Sequence, residues 1–195
     1  MRSRHVVVIA GPSGSGETTI TNEVIRRFSD QVKRLVTATT RPPRAGEKSG
    51  IDYYFFTKEE FEREKKKGNI PESTYIQNRD TYYGSYAPDL EKKLKEGHVI
   101  IVNPDIVGAR FYKKVYDAVT IFIVPESADE LERRIRDRSP DLSEKEIILR
   151  RENATREMRD ERSFYDYVVK NADGKLKGTV DEVVAILKKE GYTLA

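Results

Sequence analysis

Three observations predict an α/β fold, with a parallel sheet covered by helices on both faces. Short apolar runs of strand character alternate with amphipathic stretches along the chain, the arrangement that feeds a parallel sheet. The first run passes directly into a glycine-rich turn and then a helical stripe, which is the context of a phosphate-binding loop. Finally, 195 residues with 37% hydrophobic content can bury one sizeable core. No internal repeat, low-complexity tract or linker divides the chain, so a single domain over 1–195 is expected.

The elements follow in order. HVVVIA, residues 5–10, opens the sheet, and Ile20, Val24 and Phe28 then recur at four-residue spacing along the buried side of a first helix. RLVTAT, residues 34–39, reads as the second strand. From about Thr37 to Ser85 the alternation stops, and this stretch gathers Arg41, Arg44, closely set tyrosines and the turn formers Pro42, Pro43, Gly46 and Gly50. Leu90 and Leu94 restore helical spacing up to a stop at Gly97, and HVIIVN (98–103) and AVTIFIV (118–124) supply two more strands. Two capping boxes are expected, Ser127 with Glu130 and Ser143 with Glu146. The first opens a helix carrying Leu131 and Ile135 that breaks at Ser139-Pro140; the second opens the helix that runs through RRENATRE. DYVVKNA, 166–172, is the fifth strand, and Gly191 stands where the last helix should end. The two arginine-bearing interruptions around a phosphate loop point to flaps that close over a charged substrate.

Composition excludes several classes. The 36 Lys+Arg nearly cancel 33 Asp+Glu, and a net charge of +3 gives no electrostatic reason to expect a nucleic-acid partner. With no cysteine there is neither a disulfide framework nor a thiolate metal site, and no run approaches the roughly 20 apolar residues of a membrane span. The opening MRSRHVVVIAG lacks the apolar region and cleavage site of a signal peptide. A cytoplasmic protein, monomeric or a simple homo-oligomer, is expected.

GPSGSGETTI, residues 11–20, fits G-x-x-x-x-G-K-[ST] except at one position, where Glu17 stands in place of lysine. Gly11, Gly14 and Gly16 can turn backbone N–H groups toward one point while the following helix adds its positive end, with Ser13 and Ser15 between them. Thr18 would offer its hydroxyl to Mg²⁺, with Thr19 beside it. Without the lysine, this stretch alone is also compatible with a glycine turn of no chemical role.

Beyond the loop, TTRPPRAGEKSGIDYYFF, ESTYIQNRDTYYGSY and NPDIVGA occur in that order, and together they resemble guanylate kinase. The pattern T-T-R-x-x-R-x-G-E-x-x-G-x-D-Y maps without a gap onto Thr39–Tyr53, and Y-G-S onto Tyr83–Ser85. The resemblance implies a P-loop kinase with a five-stranded parallel core (1–36, 86–137 and 163–195), a mixed α/β insert for a nucleoside monophosphate (37–85) and a helical lid (138–162). It implies ATP and GMP as substrates, with Mg²⁺. Arg41, Arg44, Tyr53 and Tyr83 would hold the GMP phosphate, a task suited to guanidinium forks and phenolic donors. Glu72, with Thr37 and Ser85 nearby, would read the base, because a carboxylate accepts both N1–H and the 2-amino group of guanine. Glu47 and Asp105 take supporting roles. Arg138 and Arg150 resemble the family's lid arginines, which with Arg41 act on the phosphoryl group in transfer, and Arg134 is placed on the ATP phosphates. Asn171 falls near the adenine contact.

Three departures stand out: Glu17 for the loop lysine, Asn103 for an aspartate, and Ser73 for an aromatic residue. At about 4 Å and an effective dielectric near 20, one charge pair is worth roughly 4 kcal/mol, so Glu17 exchanges an attraction of that order for a repulsion. Slowed catalysis is expected unless Glu17 turns to solvent or a lid arginine enters the gap. Two alternatives stay open on sequence: a ribose bisphosphate kinase-like sugar-phosphate kinase, and a non-catalytic guanylate-kinase-like module that binds phosphopeptides.

Overall fold

The computed structural model describes residues 5–194; the predicted core boundaries also include residues 1–4 and 195, which lie outside the described residues. The first strand, β1 (Val6–Ala10), is buried along its whole length and leads through the glycine loop into α1 (Glu17–Arg27). β2 (Val32–Arg34) follows, and the insert contains β3 (Ala38–Thr39), β4 (Tyr54–Phe55), α2 (Lys58–Lys66), β5 (Ser73–Ile76) and β6 (Thr81–Gly84). The chain returns through α3 (Ala87–Lys95), β7 (Val99–Val102), α4 (Ile106–Tyr116) and β8 (Val119–Pro125). It then passes through α5 (Ala128–Arg138) and α6 (Glu144–Asp160) and closes with β9 (Tyr167–Asn171) and α7 (Leu176–Lys189).

The five-stranded sheet runs β2-β7-β1-β8-β9, and each pairing in it is parallel. Side chains alternate across β1, so Val7 and Ile9 pack with Ile20 and Val24 of α1 and Val180, Val183 and Leu187 of α7. Val6 and Val8 face the opposite layer, with Leu90 of α3 and Ala109 and Tyr112 of α4. Burial on both faces explains why these strands read as continuous apolar runs. The second, four-stranded sheet runs β4-β3-β6-β5 and is mixed: β3 pairs parallel with β4 and antiparallel with β6. Its own small core is Ala38, Phe61 and Ile70, with Tyr54, Phe56, Tyr82 and Tyr86 against them.

Two sequence expectations change. RLVTAT is not one strand: the core strand begins earlier, at Val32, and ends at Arg34 opposite Ile101, whereas Ala38 pairs with Gly84 and Tyr54 in the second sheet. Leu35, Val36 and Ala38 are buried across the transition, so apolar character carries no mark of the change of sheet. The turning point is pinned by Asp89 of α3, whose carboxylate accepts from the Val36 N–H at 3.0 Å and pairs with Lys93 at 2.6 Å. Second, Ser127 caps α5 by accepting from the Glu130 N–H, but Glu130 does not return the bond; its carboxylate accepts from the Glu126 N–H at 3.0 Å and from Arg134. The Ser143–Glu146 box is complete. Gly97 and Gly191 both adopt positive φ just beyond a helix end, as expected.

Candidate active site

The glycine loop lies at the carboxyl end of the central strand, where parallel sheets place ligands. Gly14 and Gly16 have φ of 94° and 95°, a left-handed conformation that L side chains avoid, and Gly16 occupies the N-cap of α1. The loop is braced from behind: Asn171 at the end of β9 donates to the Ser15 carbonyl at 2.8 Å, and Arg134 donates to the same carbonyl at 3.3 Å. Arg134 also bonds the Asn171 carbonyl at 2.8 Å, the Asp173 carboxylate and Glu130. These two residues, predicted as ATP ligands, are therefore struts of the loop as it stands. A cavity of about 430 Å³ opens over the loop, lined by Gly14, Gly16, Glu17, Thr18, Thr19, Arg134, Arg138 and Asn171 among others. Thr18 and Thr19 are exposed in the first turn of α1.

Glu17 does not turn away to bulk water. Its carboxylate accepts from the Ser15 hydroxyl at 2.8 Å and lines the cavity. Burial pushes its acidity toward the neutral form, opposed by the Ser15 bond, the helix backbone and the charges of Arg138 and Arg34. Arg138 was expected on the phosphates rather than beside Glu17; Arg34, at the end of β2, was not foreseen. Ser13 faces the other way, toward a second and a third cavity.

The second cavity, of about 580 Å³, lies between the two sheets and is lined by Thr37, Tyr53, Glu72, Tyr83, Ser85 and Asp105, six of the residues predicted to hold GMP. Glu72 is held from behind: Ser85 donates both its hydroxyl and its N–H (3.1 Å) to one carboxylate oxygen, and the buried Tyr112 hydroxyl donates in turn to Ser85. Burial raises the Glu72 pKa, and the nearby Asp105 charge adds to the rise, against the Ser85 bonds. Asp105 caps α4 by accepting from the Gly108 N–H at 3.0 Å. A Cβ on Gly108 would stand 2.6 Å from Pro104 Cβ and 3.4 Å from Glu72 Oε2, so only glycine lets α4 approach this carboxylate. Tyr53 and Tyr83 meet edge to face with centroids 6.0 Å apart, and the Arg41 guanidinium sits 5.4 Å from the Tyr53 ring. Arg41 is aimed by Glu47 (2.9 Å) and the Pro42 carbonyl, while the other Glu47 oxygen accepts from the Arg44 N–H at 2.7 Å. Arg44 itself is exposed and is not among the residues lining this cavity.

The third cavity, about 160 Å³, is lined by Arg150 with Ser13, Arg79, Asn153 and Glu157, so Arg150 faces the space between the loop and the acceptor side. Sequence reasoning missed Arg34, Arg79, Tyr112 and Glu157. Arg34 opens a run read only as strand, Tyr112 falls in a stretch that carries no sequence motif, and Arg79 and Glu157 sit in charge-rich stretches where one more charge carries no signal.

The departures have local accounts. The Asn103 amide donates to the Ile9 carbonyl at 2.8 Å and to the Thr21 hydroxyl at 3.0 Å, tying β7 to β1 and α1. A carboxylate could not donate to that carbonyl. Ser73 is half-buried on β5 opposite Gly84, and nothing in the structure explains its identity. Among the described residues no group of three or more His, Asp or Glu could cage a metal ion. No helix among them is long and apolar enough to cross a membrane.

A parallel sheet whose central strand feeds a glycine loop, facing a second cavity walled by a separate small sheet, defines a P-loop nucleoside-monophosphate kinase fold. The comparisons with known proteins narrow the class. Residues 3–190 match the family model for guanylate kinase, and the chain belongs to that family. The guanylate kinase of Caldanaerobacter subterraneus subsp. tengcongensis is 39% identical, covering 95% of this chain and 87% of that protein; that of Rhodopirellula baltica is 36% identical, covering 96% and 89%. The crystal structure of guanylate kinase from Anaplasma phagocytophilum matches with a TM-score of 0.72 at 29% identity, covering 98% of this chain and 88% of that one.

Proposed function

We propose that this chain transfers the γ-phosphoryl group of ATP to GMP, giving ADP and GDP. The observation that carries the reading is Glu72, a desolvated carboxylate held by Ser85 with Tyr112 behind it, at one end of a cavity whose other walls include Tyr53, Tyr83 and the loop residue Ser13. Ser85 bonds one carboxylate oxygen, leaving the other to accept from the N1–H and 2-amino edge of guanine; adenine lacks that donor pair. Tyr53, Tyr83, Arg41 and Arg44 take the monophosphate, with Glu47 aiming Arg41.

A phosphate oxygen of GMP attacks the γ-phosphorus in line, the bond from that phosphorus to the β–γ bridging oxygen breaks, and ADP leaves with the electron pair. The donor nucleotide lies over the glycine loop, its phosphates against the N–H groups of residues 13–19, with Arg138 and Arg150 closing from the lid. Thr18, in the first turn of α1 and lining the cavity over the glycine loop, would hold Mg²⁺ through its hydroxyl. When bound, the ion offsets charge on the phosphoryl oxygens. Asn103 brings no charge to help hold the ion, and Glu17 sets a negative charge facing the donor phosphates, so turnover is slow. The insert (37–85) and lid (138–162) move against the core, and the protein works in the cytoplasm as a monomer or simple homo-oligomer, with neither nucleic acid nor membrane as partner.

The test is ADP formation from ATP and Mg²⁺ with GMP, AMP or ribose bisphosphate, in this chain and in Glu17→Lys. GMP-dependent turnover that rises at least tenfold in Glu17→Lys is expected, each tenfold step being about 1.4 kcal/mol of barrier. Turnover on AMP or ribose bisphosphate in preference to GMP, or phosphopeptide binding with no turnover in either protein, would overturn the assignment.

A further inference from the structure

The walls of the acceptor cavity are acidic and carry one cation. Glu72, Asp105 and Glu157 line it, and among the described residues Arg79 is the one lysine or arginine that does. Arg79 also lines the small third cavity, beside Ser13 of the glycine loop and Arg150 of α6. Ser13 lines both spaces too, so Arg79 belongs to the end of the acceptor cavity that opens toward the loop. In-line transfer requires the GMP phosphate at that same end, since reacting atoms must come within about 3–3.5 Å of each other. The other cations stand elsewhere. Arg138 lines the cavity over the glycine loop, Arg150 lines the third cavity alone, and Arg134 is bonded to Glu130 and Asp173. Arg41 and Arg44 line none of the three, and Arg41 is held by Glu47 and the Pro42 carbonyl.

The hairpin joining β5 to β6 leaves the Arg79 side chain free. Its tip is a single 3-10 turn, Gln77–Arg79, and the Thr81 hydroxyl fixes the last residue by donating to the Arg79 carbonyl at 2.8 Å. Asp80 follows in a left-handed conformation, with φ of 49°, and its carboxylate takes the Lys58 ammonium of α2 and the Tyr75 hydroxyl at 2.8 Å. Tyr75 lies on the face of β5 away from the cavity, which Thr74 and Ile76 line. The neighbouring acid is thus engaged on the far side, and the Arg79 guanidinium has neither an ion pair nor a hydrogen bond among the described residues.

We propose that Arg79 is a substrate-binding residue that grips the phosphate of GMP from the hairpin tip. The inference rests on the ATP-to-GMP reading above and adds a contact to it. A guanidinium stays charged at neutral pH and presents its donors in a planar fork, so it can bond two phosphate oxygens at once. Without it, a phosphate entering this cavity meets only the repulsion of the three carboxylates on its walls. An unpaired arginine also gives up no existing partner when the phosphate arrives.

The experiment measures GMP binding by calorimetry without ATP in the full chain, in Arg79→Met and in Arg79→Lys, and titrates the phosphate of the bound GMP by phosphorus NMR. Arg79→Met should weaken GMP binding by about tenfold, the loss expected for a charge-assisted bond. The titration midpoint of the bound phosphate should rise by about one pH unit in that variant, because a neighbouring cation favours the dianion. Arg79→Lys keeps the charge and should leave the midpoint in place. Asp105 and Glu157 face the same space in every variant, so the difference between variants belongs to position 79. Arg79 is exposed, and both substitutions should keep the parent's denaturation midpoint. GMP affinity within about threefold of the parent in Arg79→Met would overturn the proposal. So would a loss of affinity with an unmoved phosphate titration, the mark of a merely structural arginine, or an equal shift in Arg79→Lys. Each of these outcomes sinks the role of Arg79 and leaves the kinase reading intact, whereas a parent chain that binds no GMP would sink the acceptor reading itself.

Discussion

At the scale of the residue, the behaviour of Glu17 turns on its protonation. Burial raises its pKa, and phosphates arriving above the loop would raise it further, since a second negative charge nearby favours the neutral acid. The sign follows: as pH falls through the raised value, the carboxylate becomes a neutral donor and repulsion toward ATP fades. The KM for ATP of this chain should therefore exceed that of Glu17→Gln by about tenfold near pH 7.5 and converge on it as pH falls. Using the ratio of the two proteins cancels the titration of ATP itself. A ratio that stays flat as pH falls would show that Glu17 does not face the phosphates. The carboxylate was legible in the sequence because it breaks a strict pattern; the nearby charge of Arg34 was not. Nothing in RLVTAT tells an arginine that reaches a helix from one that only faces water, and the hydrogen bond from Arg34 to Asn22 of α1 exists only after the sheet has formed.

At the scale of the element, α6 carries the strongest titration handle. It starts at a complete capping box at Ser143, as the sequence announced, and packs Ile147 and Ala154 against Leu131 and Ile135 of α5. Glu157, three residues past Ala154, faces inward as well, in the seam with Ser13, Arg79, Arg150 and Asn153. Its pKa is pushed up to about 7, chiefly by burial, then by the like charge of Glu161 and, less, of Glu17, against the attraction of Arg156. The folded pKa lies above that of an unfolded glutamate, so the protein binds this proton more tightly when folded. The corresponding stability is present at low pH and is lost as pH rises through about 7. Glu157→Gln should flatten the decline in denaturation midpoint between about pH 6 and about pH 8, and should be the more stable protein at the upper end. Parallel curves for the two proteins would place Glu157 in solvent. The capping box showed where α6 begins, but the burial of Glu157 depends on the loop and insert residues Ser13 and Arg79 brought beside it, which no local period encodes.

At the scale of the whole molecule, the site divides between two structural units with separate cores. The donor loop hangs from the large parallel sheet, and the Tyr53 and Tyr83 walls of the acceptor cavity come from the insert that carries the small mixed sheet, with its own core around Phe61 and Ile70. The motifs that mark each unit, GPSGSGETT and TTRPPRAGEKSGIDY, are contiguous in sequence, and both were readable. What joins them was not: the Tyr112–Ser85–Glu72 chain links α4 of the core to β5 and β6 of the insert, and on an amphipathic helix Tyr112 reads only as core. The division makes a quantitative prediction. GMP affinity measured by calorimetry without ATP should drop by about tenfold or more in Glu72→Ala, which removes the charged acceptor of the guanine edge, a contact of about 1.5–3 kcal/mol. It should move less than about threefold in Glu17→Lys, because the loop carboxylate does not line the GMP cavity. The KM for ATP should show the opposite ranking in the same two variants. Were Glu17→Lys to change GMP affinity as much as Glu72→Ala does, the two cavities could not be independent sites on separate units, and the assignment of donor to one and acceptor to the other would fall.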